Sequence, residues 1–288
     1  MQERSTLMTE GSVWRHIVRF ALPVFWGNLF QQLYNVVDSL VVGNFLGSDA
    51  LAAVGSSSHL IFLLVGLFSG IFTGASVVIS RYYGARDDAG VRTAVHTTVA
   101  FGLVAGVVIT IAGVLLTPRL LIWMGTPESV LPNSILYFRI YFGGIIFVIL
   151  YNTAAGIFQA VGDSRHPLYY LIVSSVVNVV LDLLFVAGFG MGVDGAALAT
   201  VIAQAVSVVC AVVLLLKKEL PFTFSRKDIR LNPQCRKFLA VGLPLALQEC
   251  LTQLSFLALC AFVNRLGLEA SSGYGVASKI VNFAMLIP

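Results

Sequence analysis

The sequence predicts an all-α polytopic membrane protein, on the grounds of its composition, the spacing of its apolar segments and an internal repeat. Of its 288 residues, 58% are hydrophobic and 11% are charged, with a mean hydropathy of +0.90, outside the range of ordinary soluble domains. A hydrocarbon core about 30 Å thick needs about 20 apolar residues per helix. Eight segments reach that length, near 16–45, 54–80, 93–117, 135–159, 167–189, 195–216, 238–264 and 270–288.

The beginning of the chain is repeated near its end. RFALPVFWGNLFQQL (19–33) resembles AVGLPLALQECLTQL (240–254), and Pro244 follows Pro23 by 221 positions; FLGSDALAAVGSSS (45–58) likewise resembles RLGLEASSGYGVAS (265–278). Such a period indicates two copies of one unit. Each copy holds six spans, an even number, so both enter the membrane in the same orientation, as in the parallel repeats of many transporters.

The repeat predicts the domain organisation. Residues 1–216 form a six-helix N-terminal lobe, and residues 238–288 form an incomplete C-terminal lobe with the seventh span and part of the eighth. Residues 217–237, KKELPFTFSRKDIRLNPQCRK, lack an apolar run and concentrate charge, so they are predicted to be a cytoplasmic linker. Two full lobes would need about 440 residues. We interpret the sequence as a fragment; the alternative is a short protein that needs a second copy to complete its cavity.

The basic residues predict the orientation. If the N-terminus is cytoplasmic, the inner connections hold 14 of the 18 lysines and arginines, as the positive-inside rule expects. Their placement makes them topology determinants, so the net charge of +4 does not indicate nucleic-acid binding. The N-terminus shows no signal-peptide pattern. On the outer side, residues 47–58 and 117–134 are predicted to be connections between spans.

The first span carries a carboxylate, Asp38. It continues a stripe of polar side chains at three- and four-residue spacing, formed by Asn28, Gln31, Gln32, Asn35 and Asp38. A charge at the bilayer centre costs about 2.5–3.5 kcal/mol on insertion scales. The stripe is therefore expected to face protein or a water-filled cavity, and it is a candidate functional site.

The fifth span carries a second carboxylate. Ser174, Asn178 and Asp182 follow at four-residue spacing and share one helix face, and the sixth span adds Thr200 and Gln204 on a face of its own. Threonine and glutamine in a membrane helix usually bond neighbouring helices. A polar network that only fixes packing therefore remains an alternative for these residues, and also for Asn35 and for Asn152 of the fourth span.

Other chemistries lack support in the sequence. The four cysteines show neither CxxC nor Cys/His spacing, and no phosphate-binding glycine loop, nucleophile–base set or metal motif is visible. The chain is therefore predicted not to be an enzyme and to need no cofactor.

The quoted motifs resemble a known family. LPxxxxNxxQQLYNxVDxxxVGxxLGxxALAAVG at 22–55, the QAxGD turn at 159–163 and NxxxD at 178–182 are similar to the multidrug and toxic compound extrusion (MATE) transporters of prokaryotes, over the whole chain. The resemblance implies a two-lobe, twelve-helix antiporter of the cell membrane that exports cationic or amphipathic compounds against entry of H⁺ or Na⁺, with an obligate protein partner undetermined.

The resemblance also implies residue roles. The positions that surround the coupling cation match Asp38, Asn178, Asp182 and Thr200, and Pro23, fifteen residues before Asp38, matches a proline that lets the first helix bend. The incomplete second lobe is the departure from the family's pattern. Glu249 does not align with a family carboxylate. We expect Gln31, Asn35, Asn152 and Gln204 to line the substrate cavity.

Two carboxylates in a low-dielectric cavity cannot both stay ionised cheaply, so we expect them to take up H⁺ or Na⁺. The spacing does not distinguish the two ions. A related flippase of lipid-linked oligosaccharide is one rival interpretation, although it would be expected to carry cationic groups in its cavity. A non-transporting membrane scaffold or sensor is another, and it would tolerate replacement of the acids.

Overall fold

Eight α-helices make up the described chain. The computed structural model describes residues 12–123, 130–217 and 228–265 and the single positions 126, 128, 225 and 281. The all-α prediction is confirmed for these residues. The predicted eighth span, 270–288, lies outside them except for position 281. The helices are α1 (Val13–Leu46), α2 (Ser48–Gly84), α3 (Asp88–Trp123), α4 (Leu131–Gly143), α5 (Ile145–Ala160), α6 (Arg165–Asp182), α7 (Val193–Lys217) and α8 (Cys235–Arg265).

Within the described residues, five helices are long and apolar enough to cross a membrane, and α4 with α5 makes a sixth span if the pair is counted as one. Four of the five belong to α2, α3, α7 and α8. The fifth, Arg165–Gly188, consists of α6 and the six residues that continue it. Helix α1 has 34 residues, ample length for a crossing, but its polar stripe lowers its hydropathy.

The fourth predicted span is bent. Its two parts, α4 and α5, meet at Gly143 and Gly144 and are inclined by 45°. Gly144 faces Val201 of α7, where an added Cβ would lie 2.4 Å from the valine Cγ1. A glycine is therefore required for α7 to approach, and paired glycines are a common cause of helix kinks.

Both predicted outer connections are wrong in extent. Helix α2 begins at Ser48, so the connection predicted at 47–58 shrinks to Gly47, whose φ of +84° is readily adopted by glycine. Helix α3 continues through Pro118 to Trp123. Both segments contain alanine or leucine between their glycine, serine and proline residues. Alanine and leucine favour helix, so each helix continues into the segment that was predicted to be a connection.

Helix α1 lies at the edge of the bundle and packs mainly on α6. Its buried residues are Gly27, Val41 and Val42, and many of its large apolar side chains are exposed. At Gly27 an added Cβ would be 3.6 Å from Leu171 of α6, so the two helices are in ordinary contact there. This packing brings the acids of α1 and α6 together.

Candidate functional site

Asp182 is the most deeply buried acid of the described chain. It is the last residue of α6, its exposed fraction is 0%, and neither carboxylate oxygen has a hydrogen-bond partner among the described residues. A π-helix, Leu183–Gly188, follows directly, and such turns inside helices are frequent at functional sites. An unpaired buried acceptor is costly, so this carboxyl group is held in place by the surrounding fold despite its own burial.

Asp38 of α1 lies close enough to Asp182 of α6 for the two carboxyl groups to interact electrostatically, although no hydrogen bond joins them. The Oδ1 atom of Asp38 is also buried and without a partner among the described side chains. Two ionised carboxylates are both acceptors and repel each other. A proton between them would supply the missing hydrogen-bond donor, and a small cation would supply the positive charge that offsets their repulsion.

A small cavity lies beside the acid pair. Its volume is about 10 Å³, room for about one water molecule or an ion of similar size. Its walls come from α1, α6 and α7, through Tyr34, Ser174, Ser175, Asn178, Thr200, Ala203 and Gln204. The cavity is too small for a drug-sized ligand, which needs several hundred cubic ångströms.

Oxygen atoms available for a cation line this cavity. Asn178 is 2% exposed; its Nδ2 donates to Thr200 Oγ1 at 3.5 Å, and its Oδ1 has no described partner. Thr200 Oγ1 donates to the Ala196 carbonyl at 3.1 Å and keeps acceptor capacity. Gln204 Oε1 is likewise buried without a partner. Oxygen donors of this kind suit hard cations.

The structure separates the predicted residues into two groups. Asn178, Thr200 and Gln204 line the cavity. Asp38 and Asp182 interact with each other one helical turn beyond Tyr34 and Asn178, which line it.

The others lie apart or have local partners. Gln31 is exposed and does not line the cavity. Asn35 is half-buried, and Asn152 Nδ2 donates to the Val148 carbonyl one turn earlier at 2.8 Å. Helix α1 continues through Pro23, the residue predicted to let it bend. Pro23 has no backbone N–H, so the helix lacks one hydrogen bond at this point.

Tyrosines near the acids are the residues that the sequence analysis missed. Tyr34 lines the cavity and lies within electrostatic range of Asp38 and Asp182. Tyr137 of α4 is also within electrostatic range of both acids but does not line the cavity. Tyr137 is 5% exposed and stacks on Tyr141 with ring centroids 6.4 Å apart. The sequence spacing could have identified Tyr34, because it precedes Asp38 by one helical turn and therefore shares its helix face. For Tyr137 no local signal exists, because α4 meets α1 only in the folded bundle.

The fold defines the class: a multi-pass membrane protein with an acid pair and an oxygen-lined cavity inside its helix bundle has the architecture of a membrane transporter. The MatE family model matches residues 23–184, and the chain belongs to this family, the MATE transporters. This confirms the resemblance drawn from its motifs.

Named relatives agree with the assignment. The probable multidrug resistance protein YoeA of Bacillus subtilis (strain 168) is 35% identical over 96% of this chain and 61% of its own length. The multidrug export protein MepA of Staphylococcus saprophyticus is 26% identical over 96% of this chain and 62% of its own. The chain thus spans about three-fifths of the length of the curated relatives it matches.

Solved structures share the fold. A MOP superfamily transporter from Pyrococcus furiosus, described as having a binding pocket of reverse polarity that suggests a different function, matches with a TM-score of 0.91 and 27% identity, over 99% of this chain and 64% of that one. A MATE crystal structure in the bent conformation and another in the straight conformation match with the same TM-score, identity and coverage.

Proposed function

We propose that this chain is part of a cation-coupled antiporter, not an enzyme, that exports cationic or amphipathic compounds across the cell membrane by alternating access. Its N-terminus lies on the cytoplasmic side. The observation that carries the proposal is Asp182, fully buried with both oxygens unpaired beside a second carboxyl group on another helix. The multidrug resistance and export proteins among its relatives support drug export.

The acid pair acts as the switch. When a cation occupies the site, the negative charge of Asp38 and Asp182 is neutralised, and their attraction for a cationic compound falls. When the site is empty, that attraction returns. If the ion favours one conformation and the compound the other, ion entry drives export, and the coupling is limited by these differences in affinity.

Size separates the two ligands. The cavity of about 10 Å³ beside the acids fits an ion and excludes a drug. The exported compound instead binds on the exposed face of α1, where Gln31 is accessible and Trp26 and Phe30 are 47% and 36% exposed. Pro23, on the same helix, is the proposed hinge.

Both H⁺ and Na⁺ suit the geometry. A proton would bridge two carboxyl groups that have unpaired oxygens, and Na⁺ would use the unpaired oxygens of Asp182 and Asn178 together with the remaining lone pair of Thr200 Oγ1. Efflux measured in proteoliposomes with an imposed Na⁺ gradient or an imposed pH gradient distinguishes the two. Only the coupling ion's own gradient should drive efflux.

Replacing the acids tests the proposal. In the complete transporter, we expect Asp38→Asn and Asp182→Asn each to lower cation-driven efflux by about 100-fold or more, because a neutral amide cannot alternate between charged and neutralised states. Asp194→Asn is the matched control, since Asp194 lies in the first turn of α7 and outside the cavity lining; its efflux should be unchanged. Unchanged efflux in both acid variants would contradict the antiporter proposal and favour a scaffold or sensor.

The flippase remains the alternative that shares this fold, and the Pyrococcus furiosus neighbour illustrates that its pocket polarity can differ. The cavity lining of this chain contains amide, hydroxyl and tyrosine groups but no lysine or arginine. Such a lining favours a small cation as the ligand of this cavity. The two acids themselves, which attract positive charge, favour a cationic exported compound over an anionic pyrophosphate.

A further inference from the structure

Three glycines of α2 form a groove that holds α8. Gly66, Gly70 and Gly74 follow at four-residue spacing and so lie on one face of α2. An added Cβ at Gly70 would lie 2.4 Å from the Ala246 backbone nitrogen, and one at Gly74 would lie 2.4 Å from the Gly242 Cα. The backbones of the two helices therefore touch, as small residues permit in membranes.

The contact continues along α8 in antiparallel order. Towards one end, a Cβ at Gly66 would be 3.6 Å from the Cβ of Glu249. Towards the other, Phe238 of α8 is 2% exposed and meets Phe101 of α3 edge-on, with ring centroids 5.3 Å apart. The first helix of the second repeat is thus packed into the first bundle over several turns.

Polar contacts outside the apolar zone, here called the clamp, join α8 to α2 at one point and join α3 to residues 225 and 228, which precede α8. Its core is His96 of α3, which is 2% exposed: Ser225 N–H donates to its Nε2 at 2.9 Å, so its Nδ1 carries the proton and donates to the Arg92 carbonyl at 2.6 Å. Arg92 also forms an ion pair with Asp228. Lys237 donates to the Tyr82 hydroxyl at 2.9 Å.

We propose that the contact between α2 and α8 is the pivot of alternating access and stays closed in both the inward-open and the outward-open states. The proposal rests on the proposed function, since a pivot exists only where two halves rock. A gate must separate and become wet, which would expose glycine backbone and break the clamp around His96. A glycine groove has no interlocking side chains, so a small rotation within it requires no change of rotamer.

A disulfide across the groove tests the pivot. In the full chain with the native cysteines replaced, Gly66→Cys/Glu249→Cys has a Cβ separation within the range for disulfides, 3.5–4.5 Å. We expect the oxidised protein to keep its efflux rate within about twofold of the reduced one, because a pivot moves little during transport. The matched control is Gly102→Cys/Thr153→Cys, which joins α3 and α5 inside the first bundle at the same Cβ separation of 3.6 Å.

Two results would overturn the pivot. One is loss of efflux on oxidation, restored by a reductant, in the groove pair but not in the control. The other is failure of the groove pair to oxidise while the control pair does. Failure of the proposed function looks different: the reduced proteins and the parent chain would then show no ion-driven efflux at all.

A second pair covers the case in which the groove variant misfolds. Lys237 of α8 donates to the Tyr82 hydroxyl of α2 at the exposed end of the contact, so Tyr82→Cys/Lys237→Cys joins the same two helices and leaves the buried groove intact. After folding, the two thiols are joined by a short bifunctional thiol reagent. Retained efflux supports the pivot, and loss of efflux on joining contradicts it.

Discussion

Polar groups meet in two regions of this protein, and the two regions differ in whether those groups have hydrogen-bond partners. In the clamp, His96, Arg92 and Asp228 each have a partner. At the acid pair, Asp182 has none among the described residues, although it is more deeply buried. Paired polar groups contribute to stability, whereas an unpaired buried carboxyl group costs free energy. The difference indicates that the clamp serves structure and that the acid pair serves a ligand.

Replacing an acid should separate activity from stability most strongly. We expect Asp182→Asn to lose ion-driven efflux at least 100-fold while its melting temperature in detergent stays equal or rises. The physical reason is that the amide removes a buried negative charge beside Asp38 and supplies an NH2 group that can donate to that carboxylate. Thermal unfolding beside flux measures both quantities. A melting temperature lowered by several degrees would mean that the carboxyl group stabilises the fold, and would break the comparison.

Adding a side chain in the glycine groove should give the next largest effect. In contrast to Asp182→Asn, it should lower the stability of the fold. We expect Gly74→Ala to destabilise the protein by about 1–3 kcal/mol, because overpacking forces the backbones apart. The added Cβ would meet Gly242 Cα at 2.4 Å. Gly143→Ala is the control, since nothing lies within 4 Å of its added Cβ. Equal melting temperatures for the two variants would show that the groove is less tight than described.

Removing one clamp hydrogen bond should have a smaller effect. His96→Phe keeps a ring in the buried position and leaves the Ser225 N–H and the Arg92 carbonyl without the imidazole. We expect a loss of about 1–2 kcal/mol in unfolding free energy, with ion-driven efflux retained. A variant of full stability but without efflux would instead place His96 in the transport chemistry.

The ion pair at the surface of the clamp should matter least. The Arg92 guanidinium holds the pKa of Asp228 below its ordinary value of 3.8, chiefly through their hydrogen bond. A lowered pKa means that the pair stabilises the folded state above pH 3.8, and that this contribution is lost as the pH falls through the lower folded value. Asp228→Asn should shift the melting temperature at pH 7 by no more than about 2 °C. A larger shift would show that the pair is shielded from solvent.

The sequence predicted much of this molecule because a membrane simplifies the rules. Segments of about 20 apolar residues must be helical, since lipid offers no partner to backbone groups. A carboxylate inside such a segment stands out, as Asp38 and Asp182 did. The bend at Gly144 and the π-helix after Asp182 were not predicted, because both depend on how neighbouring helices approach.

Side-chain partners were harder to foresee than side-chain faces. The spacing placed Ser174, Asn178 and Asp182 on one face of one helix, and it placed Thr200 and Gln204 on a face of another. Gln31 and Asn152 were predicted to line the substrate cavity, but neither lines the cavity beside the acids. Their positions depend on the angles at which the helices cross, and no local sequence pattern encodes those angles. Tyr137 reached the acids for the same reason.

The sequence by itself determined the class of the protein, its helices and the two acids, because hydropathy, helical period and family motifs are local properties of the chain. Only the tertiary structure decided that Asp38 meets Asp182 beside a cavity the size of an ion, and that α8 packs into the glycines of α2. Those facts depend on distances between residues more than a hundred positions apart, and such distances exist only once the helices have packed.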